Sequence, residues 1–137
     1  MADGGGTLVD SNVLLDLLTN DERWAAWSGE QLGAALDSGP VLINQIVYSE
    51  VSFGFSRIEA LDAVLTPDRF VRANLPWAAA FLAARAFRTY RARGGARTST
   101  LPDFFIGAHA AVLGLRLLTR DAQRYRTYFP TVRLTAP

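Results

Sequence analysis

The chain has 137 residues, the length of one domain and enough to bury about two-thirds of its unfolded surface. Its 14 basic residues are all arginine, set against nine aspartates and four glutamates for a net charge of +1, with no cysteine and one histidine, His109. Without lysine there is no P-loop lysine, Schiff base or response-regulator phosphoacceptor site. Without cysteine there is no disulfide, thiolate zinc cluster or thiol nucleophile, and one imidazole excludes histidine-pair ribonuclease and HExxH metalloprotease chemistry. What remains for catalysis is carboxylate, hydroxyl and guanidinium. The near-neutral sum gives no uniformly basic field, so any nucleic-acid reading needs local evidence.

Met1 to Gly6 is polar and glycine-rich, without the basic and apolar regions of a signal peptide, and is expected to be a flexible lead-in to a single domain over 7–137. Thr7-Leu8-Val9 reads as a short buried strand closed by Asp10, and Ser11-Asn12 starts a helix through Leu18. Glu22 to Leu36 reads as a second helix, stopped by Ser38-Gly39-Pro40, and Val41-Leu42-Ile43 as the next strand. Val47 to Arg57 turns helical with Glu50 one turn in, Ile58 to Leu65 forms a shorter helix, and Arg69 to Arg72 a third strand. Pro76 opens a long alanine-rich helix to about Arg93, in the position where proline is best tolerated. A soft stretch follows, with Gly94, Gly95 and Thr98-Ser99-Thr100, before Pro102 opens a helix to Leu113 capped by Gly114. Leu115 to Leu118 is a strand, Ala122 to Tyr128 a short helix, and Val132 to Leu134 a last strand. This alternation predicts an α/β fold with a central parallel sheet flanked by helices on both faces. The longest uncharged apolar run, Leu75 to Ala84, falls far short of the roughly 20 residues that span a bilayer, so a soluble, cytoplasmic protein with no membrane partner is expected.

In parallel sheets of this kind ligands sit beyond the carboxyl ends of the strands. Asp10 closes the first strand, Asp121 lies just past Leu118, Asp103 sits in the first turn of its helix, and Glu50 lies seven residues past Ile43. Each has an ordinary alternative: Asp10 and Asp121 as helix N-caps, Asp103 as a complement to its helix dipole. Glu50 is set among Val47, Val51, Phe53 and Phe55, which predicts a buried helix where an unpaired acid is expensive. Gathered together, four carboxylates repel one another unless a cation joins them. All-oxygen ligation suits a hard ion that keeps several waters, Mg²⁺ or Mn²⁺, and such an ion works on phosphates.

Four strings carry a resemblance: Leu8-Val9-Asp10-Ser11-Asn12-Val13-Leu14-Leu15, Ile46-Val47-Tyr48-Ser49-Glu50-Val51, Leu101-Pro102-Asp103-Phe104-Phe105-Ile106-Gly107-Ala108-His109-Ala110 and Leu118-Thr119-Arg120-Asp121. In this order and spacing they resemble the signatures of PIN-domain proteins, and the compact size and the Asp103 to His109 string resemble the VapC toxins of bacterial toxin–antitoxin pairs. The resemblance implies a PIN-domain fold and a Mg²⁺-dependent endoribonuclease, Mn²⁺ being a plausible substitute, that uses activated water to leave a 5′-phosphate and a 3′-hydroxyl. Carried over residue by residue, it implies Asp10, Glu50, Asp103 and Asp121 as the catalytic and metal-holding acids. Ser11, Asn12 and Thr119 match small polar positions that orient a ligand or water. It also implies a VapB-like antitoxin, a toxin homodimer, and a heterotetramer or larger assembly of the two. The alternative from another class is a non-catalytic module that uses the same acidic pocket for a metal or a partner.

The helix from Pro76 places Ala79, Leu82, Ala83, Ala86, Phe87 and Tyr90 on one face, expected to be core, and Trp77, Phe81, Arg85 and Arg88 on the other. That second apolar face, like Trp24, Trp27, Phe53 and Phe55, reads either as packing under a loop or as dimer or antitoxin contact. Five arginines lie between 85 and 97, and Arg93 and Arg97 are candidate guides for an RNA backbone. His109, six residues past Asp103, does not share its helix face and is expected to be packed or to support the site indirectly.

Overall fold

The computed structural model describes residues 6–98 and 101–137; Met1 to Gly5 of the expected lead-in, and Ser99 and Thr100 of the soft stretch, lie outside the described residues. Gly6 is already part of the fold. At φ 83° its carbonyl accepts from the Arg116 N–H at 3.1 Å, and a Cβ there would stand 2.5 Å from the Pro40 carbonyl oxygen. Only glycine fits there.

The elements follow as β1 (Thr7–Val9), α1 (Ser11–Leu18), α2 (Ala25–Ser38), β2 (Val41–Ile43), α3 (Gln45–Ser52) and α4 (Ile58–Val64). The second half holds β3 (Val71–Arg72), α5 (Trp77–Ala92), α6 (Pro102–Leu113), β4 (Arg116–Leu118), α7 (Gln123–Tyr128) and β5 (Leu134–Thr135). The strands form one all-parallel sheet in the order β3-β2-β1-β4-β5, with Leu8 registered against Leu42 on one side and Leu117 on the other. β1 and β2 are buried along their whole length, which is why their apolar residues run consecutively instead of alternating. Each such Val or Leu contributes about 1.5–3 kcal/mol when fully buried. The chain builds outward from β1 to β3, then crosses back to enter β4 on the other side. The order therefore reverses between β1 and β4, and at such a switch point the outgoing connections diverge and open a crevice.

Small residues let α5 and α6 pack closely. Ala79, Ala83 and Ala86 are the buried residues of α5, with Leu82, Phe87 and Tyr90 half-buried beside them, as the helical spacing predicts. Phe87 and Tyr90 meet Phe104 of α6 with ring centroids 6.2 and 5.6 Å away. On α6, a Cβ at Gly107 would stand 2.4 Å from the Phe129 ring, so the missing side chain is what admits that ring. Gly114 closes α6 in the left-handed region at φ 66°, the conformation expected of a glycine cap.

Several element bounds differ from the sequence expectation, the starts of α2 and α3 for local reasons. α2 starts at Ala25 and not Glu22, because the Asp21 carboxylate binds the Arg23 and Trp24 N–H groups at 2.9 Å each and holds those residues in a turn. α3 starts at Gln45, where the Asn44 side chain caps the Val47 N–H at 2.9 Å, and ends at Ser52, well short of Arg57. Phe53 consequently leaves the helix and stands 97% exposed, so the buried-helix argument made for Glu50 from Phe53 does not hold. The last strand is Leu134–Thr135, shifted toward the C-terminus from Val132 to Leu134.

Candidate active site

Asp10 ends β1 at the switch point and occupies the N-cap position of α1, yet its side chain makes no capping hydrogen bond. Its carboxylate is only 3% exposed and is held from the other side of the crevice. The Tyr125 hydroxyl donates to Oδ2 at 2.8 Å, the Thr119 hydroxyl at 2.9 Å, and the Asn12 amide at a longer 3.4 Å. All three fall on one oxygen, and among the described residues Oδ1 accepts none. Two of the donors come from the β4 end and α7, so the carboxylate is positioned by tertiary structure and not by its own helix.

The other acids approach from separate elements. Glu50, half-buried on α3, accepts the Ser11 hydroxyl on Oε1 at 2.7 Å. Asp103, in the first turn of α6, is contacted by Arg124 of α7 at 3.4 Å. Asp121 is exposed in the loop after β4; the N-cap of α7 is Ala122, so Asp121 is not the cap. Its backbone N–H donates to the Thr119 hydroxyl oxygen at 3.1 Å, which ties it to the same cluster.

These carboxylates repel. Burial pushes the Asp10 carboxyl up to about 6, with Asp103 and Glu50 adding to the rise against the Tyr125 and Thr119 hydrogen bonds. Burial also raises Asp103, reinforced by Asp121 and opposed by Arg124. Burial and the neighbouring Asp10 hold the Tyr125 phenol well above its ordinary value, so it stays protonated and donates. Among the described residues no three acidic or histidine side chains already converge on one point as a ready-made cage. The donor set is nonetheless all-oxygen, with one Asp10 oxygen fixed and the other unbonded, and a charge balance that a cation would relieve. This fits a hard ion that takes a few carboxylates and keeps most of its waters.

The three supporting residues named from sequence fall here. Ser11 orients Glu50 and Thr119 orients Asp10. The Asn12 side chain bridges β1 and β4, donating to the Thr119 hydroxyl at 3.3 Å and accepting the Arg120 N–H at 3.1 Å. His109 is buried in the core, where its Nδ1 accepts from the Asn44 amide at 2.9 Å and its Nε2 has no hydrogen-bond partner among the described residues. Burial lowers its pKa and keeps it neutral, as a packing residue behind α3. Arg93 and Arg97 are exposed. Arg93 lies over the Tyr128 ring at 5.6 Å, and the Arg97 carbonyl is held by the Arg91 side chain.

Sequence reasoning missed Tyr125, Arg124 and the anchor of the Thr119–Asp121 loop. Arg120 grips the Asp16 carboxylate with two bonds, at 2.8 and 3.0 Å, and Ser28 of α2 donates to the same group at 2.7 Å. Asp16 carried a readable signal, an acid inside the apolar run Leu14 to Leu18; Tyr125 and Arg124 carried none beyond their place in a short helix. A surface depression of about 900 Å³ lies at the loops entering β2 and β3, lined by Gly39, Pro40, Thr66 and Arg69, away from the acids.

With this geometry in view, the profile of the PIN domain family matches residues 7–130, and the chain belongs to that family. No curated protein matches it in sequence. Its fold is similar to that of a chain in VapBC2 from Rickettsia felis bound to a DNA fragment from their promoter (15% identity, TM-score 0.72, covering 96% of this chain and 98% of that one). It is also similar to a chain of DNA-bound VapBC from Salmonella typhimurium (17%, TM-score 0.69, 96% and 97%) and to one of VapBC-1 from nontypeable Haemophilus influenzae (19%, TM-score 0.70, 95% and 96%). At these identities the likeness is one of fold, and it covers nearly the whole of each chain.

Proposed function

We propose that this PIN-domain protein is a metal-dependent endoribonuclease, the toxin of a VapBC-type pair. The observation that carries the reading is Asp10: a buried carboxylate raised to about 6, clamped through one oxygen by Tyr125 and Thr119, with Glu50 and Asp103 adding negative charge beside it. Burying a carboxylate beside other acids costs stability, and a bound cation would offset that cost. Asp10, Glu50 and Asp103 would hold Mg²⁺ or Mn²⁺ directly or through water, and Asp121 would complete the site or serve a second ion. Bound there, the ion supplies an acidified water as nucleophile and a positive charge against the phosphodiester.

The protein's own residues do the rest. Ser11 fixes the direction of Glu50, and Tyr125 and Thr119 hold Asp10 against rotation. The Arg120–Asp16 pair pins the loop that carries Asp121. Cleavage by water leaves a 5′-phosphate and a 3′-hydroxyl. The exposed Trp77 and Phe81 on the outer face of α5, with Phe53 and Ile58, are surface for a VapB-like antitoxin and a second copy of the chain. Among the described residues no helix is long and apolar enough to cross a membrane, and a cytoplasmic location accords with an RNA substrate.

The test is incubation of purified protein with structured RNAs plus Mg²⁺ or Mn²⁺, beside Asp10→Asn and Glu50→Gln. Metal-dependent cutting abolished by both substitutions is expected. Cutting that survives both points to a contaminant, and metal binding without any cutting favours the non-catalytic module.

A further inference from the structure

Two acids of the candidate site are each held through a single oxygen. Asp10 takes the Tyr125 hydroxyl at 2.8 Å and the Thr119 hydroxyl at 2.9 Å on Oδ2, with the Asn12 amide at 3.4 Å on the same atom. Glu50 takes the Ser11 hydroxyl at 2.7 Å on Oε1. Among the described residues Asp10 Oδ1 and Glu50 Oε2 accept none. A carboxylate oxygen offers about two lone-pair sites, so the two short bonds fill those of Asp10 Oδ2.

Both donors are committed to that atom. Thr119 is fully buried, and its oxygen accepts the Asn12 amide at 3.3 Å and the Asp121 N–H at 3.1 Å, which leaves its one proton for Asp10. Tyr125 is 1% exposed on α7, and its phenol reaches Asp103 as well as Asp10, stabilising both carboxylates. Packing alone would be met by phenylalanine, which fills the same space. The hydroxyl is an addition directed at the acids.

Cations differ in what they ask of a carboxylate. Ca²⁺ takes roughly 6–8 oxygens and often binds both oxygens of one acid, whereas Mg²⁺ demands near-ideal octahedral geometry and keeps several waters. We propose that Tyr125 is a specificity-determining residue: by filling Oδ2 together with Thr119 it makes Asp10 a one-oxygen ligand, and so sets the site for small octahedral ions and against Ca²⁺. Ser11 restrains Glu50 in the same way. This selectivity rests on the metal-dependent ribonuclease reading and adds the residue that decides which ion is accepted.

The test is competition for bound Mn²⁺ in protein stripped of metal, with no RNA present. Free Mn²⁺ is read from its electron paramagnetic resonance signal while Mg²⁺ or Ca²⁺ is added. On wild type, Mg²⁺ is expected to displace Mn²⁺ at concentrations no higher than Ca²⁺ needs. In Tyr125→Phe, Oδ2 loses its shortest bond, and the ratio of the two is expected to shift toward Ca²⁺ about tenfold, the contribution of one hydrogen bond to a charged group. Thr119→Val strips the other short donor and should shift the ratio in the same direction, so that the test stands even where one variant folds poorly; melts in EDTA identify the folded ones. A packing role for Tyr125 would alter the affinity for both ions together and leave their ratio unmoved. Ca²⁺ inhibition of Mg²⁺-dependent cleavage should strengthen in Tyr125→Phe by a similar factor. An unchanged ratio in the folded variants, or a wild type that already prefers Ca²⁺, overturns the assignment while metal-dependent cleavage leaves the ribonuclease standing. Wild-type protein that binds no Mn²⁺ and cuts no RNA removes both readings together.

Discussion

Replacing Asp10 with asparagine is expected to stabilise the metal-free protein at neutral pH while destroying activity. The magnitude follows from the Asp10 carboxyl, which titrates at about 6 in the fold against 3.8 in an unperturbed aspartate. Two units at 1.36 kcal/mol each amount to about 3 kcal/mol by which the folded state is penalised for keeping this carboxylate ionised. Between pH 4 and 6 the folded protein holds a proton that the unfolded chain has released. The Asp10 contribution to stability therefore falls as pH rises through that window and stays low above it. Asparagine keeps a carbonyl oxygen for the Tyr125 and Thr119 hydroxyls and carries no charge, but its NH₂ enters a site short of acceptors, which lowers the expected gain to about 2 kcal/mol. At roughly 4 °C per kcal/mol for a chain of this size, Tm in EDTA at pH 7.5 rises by about 8 °C. The assay is thermal unfolding of both proteins from about pH 4 to 8, taken as a difference so that groups remote from Asp10 cancel. The gap should all but close near pH 4, where the folded carboxyl is protonated and the unfolded one is only about half ionised. Added Mg²⁺ should raise the wild-type Tm at pH 7.5 and leave the variant nearly unmoved. A variant no more stable than wild type at pH 7.5, or a gap that does not shrink in acid, refutes the reasoning.

Arg120→Ala leaves the Asp16 carboxylate buried without its cation and is expected to lower stability by about 3 kcal/mol, read as a denaturant midpoint, and to lower kcat by loosening the loop that carries Thr119 and Asp121. Ser11→Ala removes the hydrogen bond that orients Glu50, at 2.7 Å; cleavage is expected to fall roughly tenfold with little change in Tm. Asn44→Ala removes both the α3 cap and the hydrogen bond to His109, and should lower stability by about 2 kcal/mol at pH 7.5 by chemical denaturation. Because burial holds the His109 pKa below 6.5, its contribution to stability is lost as pH falls below that value, in the fold of wild type and variant alike. Gly107→Ala puts a methyl 2.4 Å from the Phe129 ring, and overpacking of about 1–3 kcal/mol should appear as a lower Tm.

The elements and their order were legible because consecutive apolar runs such as Leu8-Val9 and Val41-Leu42-Ile43 mark strands buried on both sides, and Pro76, Pro102 and Gly114 mark helix ends by conformations that few other residues share. The four acids were also legible, since Asp10 and Asp121 follow strands that a parallel sheet must end at one edge. Where sequence misled, a side chain had competed locally with the helix: Asp21 delayed α2, Asn44 advanced α3, and the early end of α3 put Phe53 into solvent.

What no reading of the chain could supply was the environment of each acid. Whether Asp10 caps its helix or faces the crevice depends on Tyr125 and Thr119, more than a hundred residues away, and only the crossover from β3 to β4 brings them beside it. The contact of Arg124 on α7 with Asp103 on α6 is likewise made between helices separate in the chain. Local sequence determined which groups this protein has and where its strands and helices begin. Burial and charge at a site depend on neighbours remote in sequence, so tertiary structure alone decided that its aspartate would be clamped, desolvated and set beside other acids.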